Sequence, residues 1–373
     1  MRNMVLLIKP ASGLCNLRCK YCFYNDLVDL RGGDAGRIMD AATAEALIVK
    51  AFTFAQNSIT FAFQGGEPTL CGLPFFERFT ELVKEHNTKK LTVQYAIQTN
   101  GMAVDDAFAA FFHKHRFLVG LSLDGTKDSN DMFRMDAKGN GSYSRIIKAA
   151  GLLNKYKVDF NILTVVTAQT ARHIERIYNH FKQCGFYYMQ FIPCLDPLGT
   201  EPFQQKHSLT PAHYEQFLKK LVVLWHRDIL SGQPVSIRFF DNLAGILAGY
   251  PSEQCGMHGQ CGGQYVIEHD GTVYPCDFYC VENWRTGNIL SIDFEGITQS
   301  DNRKRFIESS KYTTPACKTC PVYALCRGGC RRDRDHELDG VAGDNVYCAA
   351  LKSFYTFARP YLTEVRDYLL RNR

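Results

Sequence analysis

Three cysteines in the segment SGLCNLRCKYCFYND, residues 12–26, stand as C-x3-C-x2-C: Cys15, Cys19 and Cys22. Tetrahedral sulfur sites are built with four protein ligands, and the next cysteine, Cys71, has no partner at ligand spacing. A three-thiolate site either borrows a distant ligand or leaves one metal position open for a small molecule. A second store of sulfur lies downstream, where nine cysteines fall between residues 255 and 348. One set reads C-x5-C-x14-C through Cys255, Cys261 and Cys276. Another reads C-x2-C-x5-C-x3-C through Cys317, Cys320, Cys326 and Cys330, followed by Cys348. These eight thiols suffice for two fully ligated four-iron clusters, and four-cysteine groups also suit structural zinc.

The bulk of the chain narrows the setting. Its 373 residues are enough for roughly two domains of about 150 residues each. A hydrophobic content of 46% and a charged content of 22% describe an ordinary globular protein. The net charge of +5 is mildly basic, but Lys and Arg are scattered, so nucleic acid is not indicated as a partner. The run MRNMVLLIKP is too short in apolar residues for a secretory signal. No stretch approaches the roughly 20 apolar residues of a membrane span, so no membrane is expected and the location is cytoplasmic. Disulfides are rare there, and fifteen cysteines therefore point to metal.

The elements that must carry these thiols follow from the patterning. Strand candidates are 5–10, 59–64, 91–99, 117–125, 158–167 and 187–194, with helical spacing over 41–56, 74–86, 104–115, 144–156 and 171–183. Six strand–helix repeats predict a parallel α/β architecture, and continuous apolar strands predict burial on both faces. Six units are fewer than the eight of a closed barrel, so the expectation is a partial (β/α)6 TIM-like barrel. In such folds ligands gather at the carboxyl ends of the strands. The loop of Cys15–Cys22 and the strand-end segments QGGEP (64–68), QTNG (98–101), SLDG (122–125) and CLDP (194–197) lie there. The expected division is a barrel over 1–241, a cysteine-rich region over 242–348 that metal must hold together, and a final helix over 349–373. Cys71, Cys184, Cys194 and Cys280 are expected to be buried and inert.

CNLRCKYC, with an aromatic before its last cysteine, resembles the radical S-adenosylmethionine signature. GGEP, SLDG and NDMFRMDAKGNGSY resemble that superfamily too. C-x9-G-x4-C from Cys261 through Gly271 to Cys276, with the later cysteines, looks like the SPASM auxiliary-cluster domain. Cys255, YPCDFY (274–279) and FQGGEPTL bring the chain nearest to the anaerobic sulfatase-maturating enzymes. The resemblance covers essentially the whole chain.

What the resemblance implies is an oxidoreductase with three 4Fe–4S clusters and S-adenosylmethionine. The Cys15, Cys19 and Cys22 cluster would bind S-adenosylmethionine at its open iron and cleave it to a 5′-deoxyadenosyl radical. That radical would take a hydrogen atom from Cβ of a Cys or Ser in a sulfatase, leading to Cα-formylglycine. Cys255, Cys261, Cys276 and Cys330 would hold one auxiliary cluster, and Cys317, Cys320, Cys326 and Cys348 the other. The cofactor contacts carried over are Tyr21, Gly65, Gly66, Glu67, Ser122, Arg134 and Leu195. Asp277, directly after a ligand, is the candidate base for the substrate proton. Tyr24, Gln64 and Gln98, at the same mouth, are candidate peptide contacts. The implied partners are an unmodified sulfatase segment of the Cys-x-Pro-x-Arg type and a flavodoxin or ferredoxin as reductant, with the chain a monomer.

Two alternatives stand beside this reading. One is a SPASM enzyme that modifies a ribosomal peptide by thioether formation or epimerisation. The strand beginning near residue 5 leaves no room before it for the leader-binding domain that many of those carry. The other is a non-catalytic electron carrier or zinc-stabilised adaptor, which accounts for the closed four-cysteine sites but not for the open three-cysteine one.

Overall fold

The computed structural model describes residues 3–335 and 343–372. Its strands are β1 (Asn3–Lys9), β2 (Ser58–Phe63), β3 (Thr92–Thr99), β4 (Phe117–Ser122), β5 (Phe160–Val166), β6 (Tyr188–Pro193), β7 (Ser236–Ile237), β8 (Tyr265–Glu268), β9 (Thr272–Tyr274) and β10 (Gly287–Asn288). The first six coincide with the strands expected from patterning, to within three residues at each end. The chain forms an α/β fold whose strands are mostly parallel. Its two compact units interleave in sequence: one comprises 1–122, 133–160 and 263–306, the other 123–132, 161–262 and 307–373. Residue 241, where the barrel was expected to end, lies inside a helix, Arg238–Leu247.

In the first unit β1, β2, β3 and β4 pair in parallel and in order. The other edge of β1 is taken by β8, also parallel, so the cysteine-rich segment adds a strand beside the first one. β8, β9 and β10 then continue as an antiparallel meander. Burial on both faces does not hold here. On β2, Ile59, Phe61 and Phe63 are sealed under helices while the intervening residues are half-exposed. Phe63 meets Phe76 and Phe79 of the helix Leu73–His86 edge-on at 5.2 and 5.0 Å. On the opposite face Val5 and Leu118 are 61% and 48% exposed.

The second unit pairs β5, β6 and β7 in parallel. Its core joins Trp225 of the helix Pro211–Leu230 to Phe240 at 5.3 Å, and Phe240 to Phe354 of the terminal helix Cys348–Arg371 at 6.0 Å. The terminal helix lies within a residue of its expected start. The 20-residue helix from Pro211 escaped the periodicity reading, although Thr210 caps it by accepting from His213 N–H and Pro211 opens its first turn.

Candidate active site

The row of residues that face away from the covering helices ends, strand by strand, in Lys9, Gln64, Gln98 and Ser122. Side chains alternate across a strand, so these four share one face of β1, β2, β3 and β4 or the residue just beyond. Gln98 donates to Ser122 Oγ at 3.0 Å. Gly120, opposite Gln98 in the β3–β4 register, makes that bond sterically feasible, since a Cβ there would fall 2.0 Å from Gln98 Oε1.

Asp277 begins a 3-10 turn, Asp277–Tyr279, directly after Cys276, and its carboxylate is buried. Oδ2 accepts from Tyr24 OH at 2.6 Å and from Gln64 Nε2 at 3.0 Å. Gln64 also donates to Tyr24 OH at 2.9 Å, which closes a triangle. The other oxygen, Oδ1, is buried and accepts no hydrogen bond; Lys9 Nζ stands 3.4 Å from it, at ion-pair distance. Tyr24 and Gln64, expected as peptide contacts, thus both hold the candidate base, whereas Gln98 bonds to Ser122.

Lys9 escaped the sequence reading. It ends an apolar strand as VLLIK followed by Pro10, and a charge at a strand end usually has a task, a signal that was there to be used. Its ammonium is fully buried, 3.0 Å from Glu268 Oε1, 3.4 Å from Cys280 Sγ and 4.8 Å from the centre of the Tyr24 ring. Glu268 is further held by Ser12 Oγ at 2.6 Å and Arg31 at 3.0 Å. Burial alone lowers the Lys9 pKa, but the Cys280 sulfur and the Glu268 and Asp277 carboxylates outweigh it and raise it. Burial pushes the Glu268 carboxyl up, yet Lys9 and Arg31 bring it below the ordinary value. Asp277 goes the other way: its burial, aided by the Glu268 charge, overcomes Lys9 and raises it. One cation is therefore shared unequally between two carboxylates, and it lies nearer to Glu268.

The loop of the three-cysteine motif is stitched to the strand-end segments. Gly66 N–H donates to Ser12 O and Glu67 N–H to Leu14 O, at 2.6 and 2.8 Å. A Cβ on Gly66 would lie 2.1 Å from Leu14 O, so only glycine allows this approach. The Glu67 carboxylate is buried and accepts from Thr69 N–H and Oγ1, Thr99 Oγ1 and Asn100 N–H, at 2.6–3.1 Å. Its side chain thus clamps the loops together. Donors surround the sulfurs. Leu17 N–H and Asn100 Nδ2 approach Cys15 Sγ at 3.4 and 3.6 Å, and the Arg134 guanidinium lies 4.0 Å from Cys19 Sγ and 5.7 Å from the Tyr21 ring centre. Burial raises the Cys15 thiol to about 11. An environment of N–H donors suits thiolates held by iron.

The second unit carries the remaining ligand candidates apart from Cys276. Cys317, Cys320, Cys326 and Cys348 line one cavity of about 490 Å3 open to solvent. Four thiols around one cavity suit a multinuclear cluster. Cys255 and Cys261 are close enough to Cys330 to raise its pKa further after burial and Asp333 have done so. Leu195 is half-buried and lines a small hollow with Asp196, Arg332 and Tyr347. Of the four cysteines expected to be buried, Cys194 and Cys280 are, and Cys71 and Cys184 are half-exposed. No helix among the described residues is long and apolar enough to cross a membrane.

Comparison with known proteins fits this geometry. Residues 10–181 match the Radical SAM superfamily and 255–321 the SPASM iron–sulfur cluster-binding domain. Together they define a radical S-adenosylmethionine enzyme with an auxiliary-cluster domain. The cysteine-type anaerobic sulfatase-maturating enzyme of Clostridium novyi (strain NT) is 46% identical over 355 residues, which cover 95% of each chain. The serine-type enzyme of Bacteroides thetaiotaomicron is 27% identical over 394 residues, spanning 100% of this chain and 93% of that one. The solved structure of native anSMEcpe with bound AdoMet and Cp18Cys peptide superposes with a TM-score of 0.95 at 43% identity, over 99% of this chain and 100% of that one. The chain belongs to the anaerobic sulfatase-maturating enzymes. Its cofactors are three 4Fe–4S clusters and S-adenosylmethionine.

Proposed function

We propose that the chain oxidises a cysteine in an unfolded Cys-x-Pro-x-Arg-type segment of a sulfatase to Cα-formylglycine, with Asp277 accepting the thiol proton. The observation that carries this reading is the buried Asp277 carboxylate, whose Oδ2 is held by Tyr24 and Gln64 and whose Oδ1 lies 3.4 Å from the Lys9 ammonium. Two donors fix the orientation of this carboxylate, and burial raises its pKa toward the range useful for taking a proton. The preference for cysteine over serine rests on 46% identity to a cysteine-type relative against 27% to a serine-type one.

When bound, S-adenosylmethionine and the Cys15, Cys19 and Cys22 cluster supply the radical that removes one hydrogen atom from Cβ. The chain's own residues do the rest. Tyr24 and Gln64 hold Asp277 in place, and Lys9 offsets the charge of the Asp277–Glu268 pair before and after proton transfer. Gly65, Gly66, Glu67, Ser122 and Arg134, with Tyr21 and Leu195, form the cofactor seat, and Gln98 supports Ser122. Cys255, Cys261, Cys276 and Cys330 hold one auxiliary cluster, and Cys317, Cys320, Cys326 and Cys348 the other. Loss of the hydrogen atom, of the thiol proton to Asp277 and of one electron, which an auxiliary cluster would accept, brings the carbon to the thioaldehyde, and water then replaces sulfur, which leaves as hydrogen sulfide. In this reading the barrel function resides in 1–241, the auxiliary clusters in 242–348 and a closing helix in 349–373. The protein acts as a cytoplasmic monomer reduced by a flavodoxin or ferredoxin.

The test is anaerobic incubation of iron-reconstituted protein with S-adenosylmethionine, dithionite and a Cys-x-Pro-x-Arg peptide, followed by mass spectrometry. Formylglycine together with 5′-deoxyadenosine is the expected result. Deoxyadenosine with an untouched peptide would overturn the substrate assignment and leave the radical chemistry standing.

A further inference from the structure

Cys15 is met by a side chain from another strand end. Asn100 directly follows β3, in the QTNG segment, and is buried. Its Nδ2 donates to Cys15 Sγ at 3.6 Å and to Asn16 Oδ1 at 2.8 Å, and its Oδ1 accepts from Met102 N–H at 2.9 Å. The Met102 N–H fixes which end of the amide faces the sulfur, since a flipped Asn100 would set its NH2 against another donor. The backbone is anchored as well. Asn100 N–H donates to Glu67 Oε2 and Thr99 Oγ1 to Glu67 Oε1, both at 2.7 Å. Glu67 N–H in turn donates to Leu14 O, beside Cys15.

The donor is therefore set in place before any cluster is bound. Leu17 N–H, 3.4 Å from the same sulfur, belongs to the cysteine loop itself, whereas Asn100 reaches it from 85 residues away. Reduction of a 4Fe–4S cluster adds one electron, drawn from the external reductant, and part of that charge falls on the cysteine sulfurs. An N–H dipole aimed at a sulfur favours the reduced form, and such hydrogen bonds are among the features that set cluster potentials. Burial strengthens the effect, because a dipole acts more strongly where water is excluded. Removing the donor makes the cluster harder to reduce.

We propose that Asn100 tunes the first cluster: by donating to Cys15 Sγ it raises the potential at which that cluster takes up the electron used to cleave S-adenosylmethionine. The proposal rests on the assignment of Cys15, Cys19 and Cys22 as the ligands of that cluster. It does not depend on which peptide is oxidised. Asn100 acts here through a ligand sulfur and touches neither peptide nor S-adenosylmethionine, so its signature is a shift in potential rather than a loss of binding.

The experiment is an anaerobic redox titration of cluster-loaded protein followed by EPR. The first cluster is recognised as the one whose signal changes when S-adenosylmethionine is added. Wild type is compared with Asn100→Leu, which loses the donor without gaining charge, and with Asn100→Asp, which keeps an acceptor for Met102 N–H and loses the donor. At the ambient potential that leaves wild type half reduced, the reduced-to-oxidised ratio should fall on the order of tenfold in Asn100→Leu, about 59 mV for one electron. It should fall further in Asn100→Asp, whose carboxylate adds negative charge beside the sulfur. The auxiliary-cluster potentials and the affinity for S-adenosylmethionine should not change. Iron assay confirms loading, and if Asn100→Leu fails to load, Asn100→Asp carries the test. An unchanged ratio in loaded Asn100→Asp overturns the proposal. So does a loss of S-adenosylmethionine affinity with the potential unmoved, which would make Asn100 a contact of that molecule instead. A parallel shift of all three clusters overturns it too, because it reports general loosening. Absence of formylglycine from wild type, with these potentials in the expected order, would refute the proposed function and leave the role of Asn100 in place.

Discussion

Replacing Lys9 with Met keeps most of the side chain's length and removes its charge. In the wild-type protein the ammonium lies 3.0 Å from Glu268 and 3.4 Å from Asp277. At an effective dielectric near 20, each contact is worth roughly 5 kcal/mol of Coulomb attraction before desolvation is subtracted. Breaking a buried pair by deleting one partner costs about 3–5 kcal/mol, because the remaining charge is left buried. The lower end applies here, since Glu268 keeps Arg31 and Ser12. For a chain of 373 residues that is a fall in Tm of about 4 °C, read by anaerobic scanning of cluster-loaded protein at one fixed rate. Adding Glu268→Gln should restore part of the loss, because the charge left unpaired is then gone. The pH dependence has a definite sign. Glu268 has a lowered pKa in the fold, so the stability it draws from Lys9 is present above the ordinary glutamate value of 4.5 and is lost as pH falls through the folded value. The gap between wild type and Lys9→Met should therefore narrow on acidification below about 4.5. A Tm within 1 °C of wild type at neutral pH would show that Lys9 carries no structural charge compensation, and the account of the site's electrostatics would be wrong.

Other outcomes follow from the same geometry. Asp277→Asn should retain deoxyadenosine release while formylglycine formation falls about 100–10,000-fold; unchanged product in a peptide mass assay would remove Asp277 from the chemistry. Alanine at Cys15, Cys19 or Cys22 should abolish S-adenosylmethionine cleavage, as followed by nucleoside chromatography. Gly66→Ala should cost roughly 1–3 kcal/mol and weaken S-adenosylmethionine binding, since its Cβ would meet a backbone oxygen at 2.1 Å. Cys317→Ala or Cys348→Ala should lower iron content by about a third and reduce solubility with it; full iron by colorimetric assay would undo the ligand assignment.

The residues themselves determined a good deal. The C-x3-C-x2-C spacing, the eight downstream cysteines and the GGEP segment are local in sequence, and metal ligation constrains spacing tightly enough to be read directly. The six leading strands were legible because apolar runs alternated with helical periodicity at regular intervals. Asp277 was singled out because it directly follows Cys276, and the structure places it against Tyr24, Gln64 and Lys9. The division at 241 was less legible, since the helix Arg238–Leu247 runs through that residue and the compact units interleave. β8, only four residues long, was not foreseen: nothing local in residues 265–268 says that its partner is β1, some 260 residues earlier. That pairing sets Glu268 opposite Lys9 in the strand register and ties the two ends of the first unit together. The turn of Asp277 follows β9 in the same unit and so comes to Tyr24, Gln64 and Lys9. Sequence supplied the chemical groups, but which carboxylates share the buried lysine, and which oxygen of Asp277 is held by Tyr24 and Gln64, depend on contacts between segments more than 200 residues apart. Such contacts are chosen by packing and charge compensation in three dimensions, and no spacing rule along the chain encodes them.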